Sequence, residues 1–293
     1  MKPRHTRVDR LVTWAIALGA LAFFMVPVAW IVLTSFKTQA DVQTIPPKLL
    51  FTPTLDNYAS ILAQKQTDLA ALAAKGYLAY KDFLPSYGNS LVVALVSTSL
   101  AVVLGGFAAY AFARLQFRGR QPMMLYILFT RMLPPLGLLI PTFMIYSNLK
   151  ITDSIWSLSA LYLSFNIAVV VWMMQGFIAE IPVDLEESAM VDGASRIGAM
   201  LRVTLPLVAP GLAATATLCL LLNWNEFLFA LMLTSQHAKT APVGAAEFSQ
   251  SFKQVLWGSL SAAGVLITLP VIVFALLTQR HLVKGLTAGA VKQ

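Results

Sequence analysis

The residues whose types and spacing point to a task lie in a polar island between two long apolar stretches. Glu186-Glu187-Ser188-Ala189 is followed by Asp192-Gly193, and nine residues then separate Gly193 from Val203-Thr204-Leu205-Pro206. A connection that merely reverses direction takes about two to eight residues, so this one is too long and too patterned for that role. The chemistry on offer is noncovalent. Pro182 breaks the preceding apolar run, Asp184 suits a helix N-cap, and Glu187 stands where a capping-box carboxylate reaches back. A helix is predicted to begin at Asp184 and to lay Leu185, Ala189, Met190 or Val191, Ala194, Ile197 and Leu201 across a surface. Gly193 would permit close approach along it, and Pro206 and Pro210 would end it and return the chain to its apolar surroundings.

Other chemistries fit the sequence less well. A P-loop needs glycine-rich amides followed by Lys and Ser or Thr to hold phosphates and magnesium, whereas Gly193 and Gly198 continue into Ala199-Met200. No Ser, Cys or Asp stands beside a His as a nucleophile beside its base. Cys219 is the single cysteine and sits in an apolar run, so it is expected to be a small buried hydrophobe. His5, His237 and His281 are scattered without companions at metal-ligand spacing. No catalytic residue, metal or cofactor is therefore expected.

The elements that must position the polar island are set by composition. Of 293 residues, 58% are hydrophobic and 12% charged, far from the roughly 25% charged content of soluble domains. Apolar windows long enough to cross a bilayer of about 30 Å fall at 11–36, 91–112, 122–147, 154–177, 209–233 and 257–277. The expected fold is all-α, a single polytopic membrane domain of six transmembrane helices. The basic N-terminus precedes an apolar run longer than a signal h-region, which argues for a retained first span. Nine of the ten Arg residues fall on one side of this topology and the tenth is Arg131 in the third window. By the positive-inside rule, both termini and the polar island (180–206) are then cytoplasmic. The formal charge of +8 is read as an orientation signal, because no basic face with interleaved aromatics suggests nucleic acid. The longest outer segment, 37–87, includes an Ala- and Leu-rich stretch from Gln66 to Lys81 that reads as an interfacial amphipathic helix.

Two formal charges lie deep in the apolar windows, Arg131 just before Pro134-Pro135 and Glu226 in Asn223-Trp224-Asn225-Glu226. Charges at such depth are expensive and usually face a cavity or each other. They are candidates for a pathway lining or an intramembrane pair. The alternatives are that Arg131 snorkels inward and that Glu226 sits near the outer interface or against a neighbouring chain.

At the polar island the sequence resembles the loop shared by membrane subunits of bacterial binding-protein-dependent ABC importers. That pattern, Glu-Ala-Ala, three residues, Gly, nine residues, Ile-x-Leu-Pro, stands here as Glu187, Ser188, Ala189, Gly193, Val203, Leu205 and Pro206, with Ser for the first Ala and Val for Ile. Ser35-Phe36-Lys37, Thr54-Leu55-Asp56-Asn57-Tyr58, Asn89-Ser90-Leu91 and Trp224-Asn225-Glu226-Phe227 resemble the carbohydrate, maltose-type branch. The resemblance implies a multi-pass permease of the bacterial cytoplasmic (inner) membrane. It would pair with a second, related permease, two cytoplasmic ATPase subunits that bind ATP and Mg, and an extracytoplasmic solute-binding protein. Glu186, Glu187, Ser188, Ala189, Asp192, Gly193, Leu205 and Pro206 would then couple the chain to the ATPase. On that reading Asn166, Asn225, Trp172 and Trp224 offer hydrogen bonds and aromatic faces suited to sugars, although such residues also serve as helix-helix glue and interfacial belts. An ion- or proton-coupled secondary transporter is the alternative; it would call for inverted repeats and several midplane ionisable groups, which the sequence lacks.

Overall fold

The computed structural model describes residues 7–62, 83–249 and 255–288, and all regular elements among them are helical. In order they are α1 (Arg7–Ser35), α2 (Gln39–Val42), α3 (Asp56–Leu62), α4 (Phe83–Arg114), α5 (Arg120–Met132), α6 (Pro135–Asn148) and α7 (Ile155–Ala179). They continue as α8 (Asp184–Val191), α9 (Arg196–Ala199), a π-helical turn (Met200–Thr204), α10 (Leu205–Leu207), α11 (Ala209–Trp224), α12 (Leu228–Leu233), α13 (Ala241–Ala246), a 3-10 turn (Glu247–Ser249) and α14 (Trp257–Ala288). The interfacial helix expected between Gln66 and Lys81 lies outside the described residues.

Four stretches are single helices long and apolar enough to span a bilayer: Leu11–Ser35, Phe83–Arg114, Ile155–Ala179 and Trp257–Gln279. The other two expected spans are not straight rods. The window at 122–147 is two helices, α5 and α6, bent by 92°. Pro134 and Pro135 cause the break: a proline removes an amide donor and disfavours helix at the residue before it, and Leu133 is accordingly extended. The window at 209–233 also divides, because α11 ends at Trp224 and α12 starts at Leu228. Its entry is bent too, with residues 196–207 meeting α11 at 79°. The chain is an all-α polytopic membrane protein with four single-helix candidate spans, and six where each bent pair is one span.

By its internal packing the chain divides into two compact units, Met1–Leu84 with Ala245–Thr268, and Pro85–Gly244 with Leu269–Gln293. In the first, Asn57 Nδ2 donates to the carbonyls of Ser35 (2.9 Å) and Lys37 (2.7 Å), capping the end of α1. The Tyr58 hydroxyl meets Ser35 Oγ at 2.8 Å, and Thr54 N–H donates to the Phe36 carbonyl. The motifs around Ser35 and Asn57, far apart in sequence, thus form one knot. Ser60 Oγ contacts Ser259 Oγ at the start of α14.

The second unit packs α4, α7 and α11 around two apolar clusters. One contains Ala101, Val170, Met174 and Cys219, and the other contains Val93, Leu158, Tyr162 and Phe229. Cys219 is buried, as its setting predicted. Close approach of α7 and α11 requires glycine at 211, since a Cβ there would meet the Phe177 ring at 2.5 Å. Along α4 and α7 the positions separating the clusters are polar. Asn166 Nδ2 donates to Asn223 Oδ1 (2.7 Å), and Asn223 Nδ2 donates to Ser97 Oγ (2.7 Å) and Thr98 Oγ1 (3.0 Å), joining three helices. Such side-chain bonds hold helices together where apolar burial gives no preference for protein over lipid.

On the non-helical stretch after α12, Asp153 accepts the amides of Ser235, Gln236, His237 and Ala238. Burial works to raise its carboxyl, but the four amides outweigh that and hold it well below the usual carboxylate range. Asn89 Nδ2 donates to the carbonyls of His237 and Lys239, and Ser90 Oγ accepts from Ala241 N–H. The Asn89-Ser90 motif therefore fastens this connection to α4.

Candidate functional site

The polar island is a helix, a glycine turn and a second helical run, where one helix from Asp184 onward was expected. Asp184 is the first residue of α8 and not its N-cap; that position belongs to Val183, which makes no side-chain cap. Pro182 still starts the segment, with its carbonyl accepting from Leu185 N–H. At the other end Gly193 takes a left-handed φ of 93°. Its amide donates to Met190 O, and Ala194 N–H reaches back to Ala189 O, the pair of bonds that closes a helix through a glycine. A Cβ on Gly193 would meet nothing within 4 Å in this chain, so within this chain it is the left-handed backbone conformation that favours glycine. Ser195 Oγ then caps α9 by accepting from Gly198 N–H. Pro206 does not end the run but lies within it, in α10, while Pro210 sits in the first turn of α11.

Two adjacent acids divide the labour in α8. Glu186 is 3% exposed and Glu187 is exposed to solvent. The Glu186 carboxylate accepts from Tyr110 Oη (2.7 Å), Arg114 Nε (2.8 Å) and Thr204 Oγ1 (2.6 Å). Arg114 uses Nη2 to reach the Ile181 carbonyl as well. This clamp ties α8 to α4 and to the π-helical turn, whose wider winding carries Thr204 to the carboxylate. Burial alone would raise the Glu186 carboxyl, but the hydrogen bonds from Thr204, Arg114 and Tyr110 and the Arg114 charge hold it below the ordinary range. Sequence reading placed Glu186 in the loop but missed its partners. Tyr110 and Arg114 lie more than seventy residues upstream in chain order, by 76 and 72 positions.

With Glu186 turned inward, the opposite face is left free. Glu187, Ser188 and Asp192 are exposed on it together with Val191 (87%), Ile197 (61%) and Leu201 (47%). Ala189 and Leu205 are half-buried, and Pro206 is exposed. The result is an acidic and apolar surface fixed to the membrane helices beneath it.

The intramembrane charges share a different place. Arg131 and Glu226 line one cavity of about 410 Å³, along with Tyr162, Phe165, Asn166 and Asn223. They are not an ion pair: no contact within 4.0 Å joins them, and Glu226 is satisfied elsewhere. Its carboxylate accepts from the Tyr162 hydroxyl and from the amides of Phe229 (2.9 Å) and Ala230 (3.1 Å), capping the first turn of α12. The expected pairing is therefore corrected. Asn225 is exposed and donates to the Leu221 carbonyl at the end of α11, and it is not part of the cavity lining. Trp224 is 1% exposed and packs edge-on to Tyr87, so its face is closed to any solute. Trp172 is 57% exposed. Tyr162 and Asn223 were not foreseen as site residues; their signal was a hydroxyl and an amide at the register that Asn166 and Glu226 mark. Among the described residues no group of three His, Cys, Asp or Glu side chains is placed to hold a metal.

Residues 101–288 match the binding-protein-dependent transport system inner membrane component family, and the chain belongs to it. It is 34% identical over 283 residues to the trehalose/maltose transport system permease protein MalG of Thermococcus litoralis, covering 96% of each chain. It is 37% identical to the trehalose transport system permease protein SugB of Mycobacterium tuberculosis, over 97% of this chain and 98% of that one. The fold is similar, with a TM-score of 0.72 and 22% identity, to a chain in the crystal structure of a bacterial ABC transporter involved in import of the acidic polysaccharide alginate. That match covers 95% of this chain and 99% of the other. As a member of this family the chain is a transport component.

Proposed function

We propose that this chain is one permease subunit of an ATP-driven importer in the bacterial cytoplasmic membrane, forming half of a pathway for a sugar or polyol. A second permease completes the pathway, an extracytoplasmic binding protein delivers the solute, and two ATPase subunits bind ATP and Mg. The carbohydrate assignment rests on the trehalose- and maltose-named relatives. The coupling assignment rests on one observation above all: Glu186 is buried in a clamp while its neighbour Glu187 stays exposed on the same short helix.

A surface that receives force from a partner must be free on one side and fixed on the other. The exposed acidic and apolar face of α8 and α9 would dock in the ATPase, with Glu187 meeting a basic group there. Motion of the closing ATPase would pass through Glu186 to Arg114 and Tyr110 on α4 and through Thr204 to the run leading into α11. Packed helices move as rigid bodies between discrete arrangements, so displacement of the loop would carry both. The cavity holding Arg131, Tyr162, Asn166 and Glu226 is lined in part by α11, through Leu222 and Asn223, and would line the pathway. Its donors and acceptors match hydroxyl groups, and Phe165 supplies an aromatic face.

The test is Glu187→Lys in the assembled importer reconstituted with its binding protein. Reversing an interface charge removes about 2–5 kcal/mol of docking, so ATP-driven uptake should fall about tenfold or more. The thermal midpoint should stay put, because the exposed Glu187 side chain makes no hydrogen bond or ion pair among the described residues. Unchanged uptake with the ATPase still bound would overturn the coupling assignment.

A further inference from the structure

Lys37 follows the last turn of α1 and is 2% exposed, yet among the described residues its ammonium has no oxygen partner. Its Nζ lies over the ring faces of Trp30 (4.4 Å) and Phe51 (5.1 Å). Ring faces attract a cation, but they leave the three N–H donors of an ammonium without acceptors. The nearby carboxylate is already taken: Asp41 holds Lys48 Nζ at 2.6 Å and Thr38 Oγ1 at 2.9 Å. One turn back on α1, Thr34 is 6% exposed and its hydroxyl also has no partner. A helical Thr ordinarily bonds the carbonyl one turn earlier, as Thr215 and Thr217 do here. Thr34 Oγ1 is thus a buried polar atom left open, and it shares a cavity wall with the Lys37 ammonium, an arrangement that requires an explanation.

Both line a single cavity of about 560 Å³. Its walls are the end of α1 and the beginning of α14, two helices long and apolar enough to cross a membrane. Lys37, Thr34 and Asp41 give the polar groups at one end, beside Val42 and Pro47, and Ile31, Leu260 and Gly264, with the hydroxyl of Ser261 among them, line it farther along the two helices. Trp30 and Trp257 stand at the walls, and tryptophan marks the headgroup level of a bilayer. With Lys48 beside Asp41, the charges around the polar end sum to one net positive.

We propose that this cavity is a lipid site, in which Lys37 and Thr34 bind the phosphate of a glycerophospholipid headgroup while an acyl chain follows Ile31 and Leu260. A phosphate supplies the anionic oxygens that the ammonium lacks and an acceptor for the Thr34 hydroxyl. The apolar end matches the chain attached to that phosphate, which free phosphate would not fill. The site does not depend on the transport reading or on which solute is carried.

The test uses the assembled importer, purified in detergent and stripped of lipid. It is titrated separately with dioctanoyl-phosphatidylglycerol, dioctanoylglycerol and inorganic phosphate while thermal unfolding is followed. The phospholipid should raise the midpoint by about 5 °C at about a hundredfold excess over its Kd, and the other two should not. Lys37→Arg should keep the shift and Lys37→Met should abolish it. If Lys37→Met does not assemble, Leu260→Trp, which fills the apolar end and leaves the ammonium in place, should abolish it instead. Absence of any shift, an equal shift in Lys37→Met or Leu260→Trp, or a shift reproduced by inorganic phosphate or dioctanoylglycerol would overturn the proposal.

Discussion

Glu186 and Glu226 are acids withdrawn from bulk water in the same compact unit, and the chain treats them in opposite ways. Glu186 is closed off: it takes a cation from α4, a hydroxyl from α4 and a hydroxyl from the π-helical turn. Glu226 is half-buried and keeps a cavity of about 410 Å³ in front of it. Its partners are a tyrosine hydroxyl and two amides, with Arg131 on the same cavity wall but not bonded to it. A carboxylate neutralised on all sides is a fastening. One that is capped from behind and open in front is a surface that a polar solute can meet. Burial and the space before the carboxylate both separate the two acids: Glu186 is 3% exposed with its surroundings filled, whereas Glu226 is half-buried and faces a cavity.

Removing the fastening should have the largest effect. Glu186→Gln keeps the shape but leaves Arg114 buried without its counter-charge, and breaking a buried pair from one side costs roughly 3–5 kcal/mol. A large drop in the thermal midpoint is expected, along with ATP hydrolysis that no longer responds to the loaded binding protein. The acid limb should change as well. The folded carboxyl titrates below its unfolded counterpart, which lies near about 4.3. The clamp's stabilisation is therefore fully present above that pH and is lost as pH falls through the lowered folded value. In Glu186→Gln, pH-dependent unfolding below about pH 4.3 should be shallower than in the parent. If stability were unchanged, the clamp would be no fastening.

An intermediate effect is expected from Asn223→Ala, which strips the hub from the network joining α4, α7 and α11. Hydrogen bonds between membrane helices average about 0.6 kcal/mol and reach about 1.7, so a loss of about 1–2 kcal/mol in unfolding measurements would match a hub of three bonds. The smallest effect on stability should come from Glu226→Gln, which can still accept from Tyr162 and from an amide. A change of under about 1 kcal/mol is expected, with solute uptake reduced severalfold in the reconstituted importer. A midpoint drop as large as that of Glu186→Gln would erase the contrast between the two acids and make Glu226 a second fastening.

The pattern of failures in reading the sequence has a single physical root. Hydropathy marked six apolar windows because the bilayer demands long apolar runs; four are single helices long enough to cross it, and bent helix pairs bring the candidates to at most six. It could not show that Pro134-Pro135 turns the third crossing by 92°, since an apolar run scores the same straight or bent. Local rules located the polar island and marked Pro182 as its start, but they put its end at Pro206, which lies inside the helical run. They could not show that Gly193 closes α8 through a left-handed φ, because a capping glycine and a packing glycine are alike in sequence. Charge and depth left a pathway lining and an ion pair both open for Arg131 and Glu226, and the partners of Glu226 are a hydroxyl and two amides.

What the sequence determined by itself is the set of one-dimensional facts: helix-length apolar runs and a motif at fixed spacing. These depend on each residue's own solvation and on neighbours within a turn or two. The tertiary structure alone decided which of two adjacent glutamates faces inward, which tryptophan is buried, and that Lys37 and Thr34 share a cavity. Each of those outcomes depends on groups tens of residues distant. Hydrogen bonding and burial select partners by position in space, and chain order does not record it.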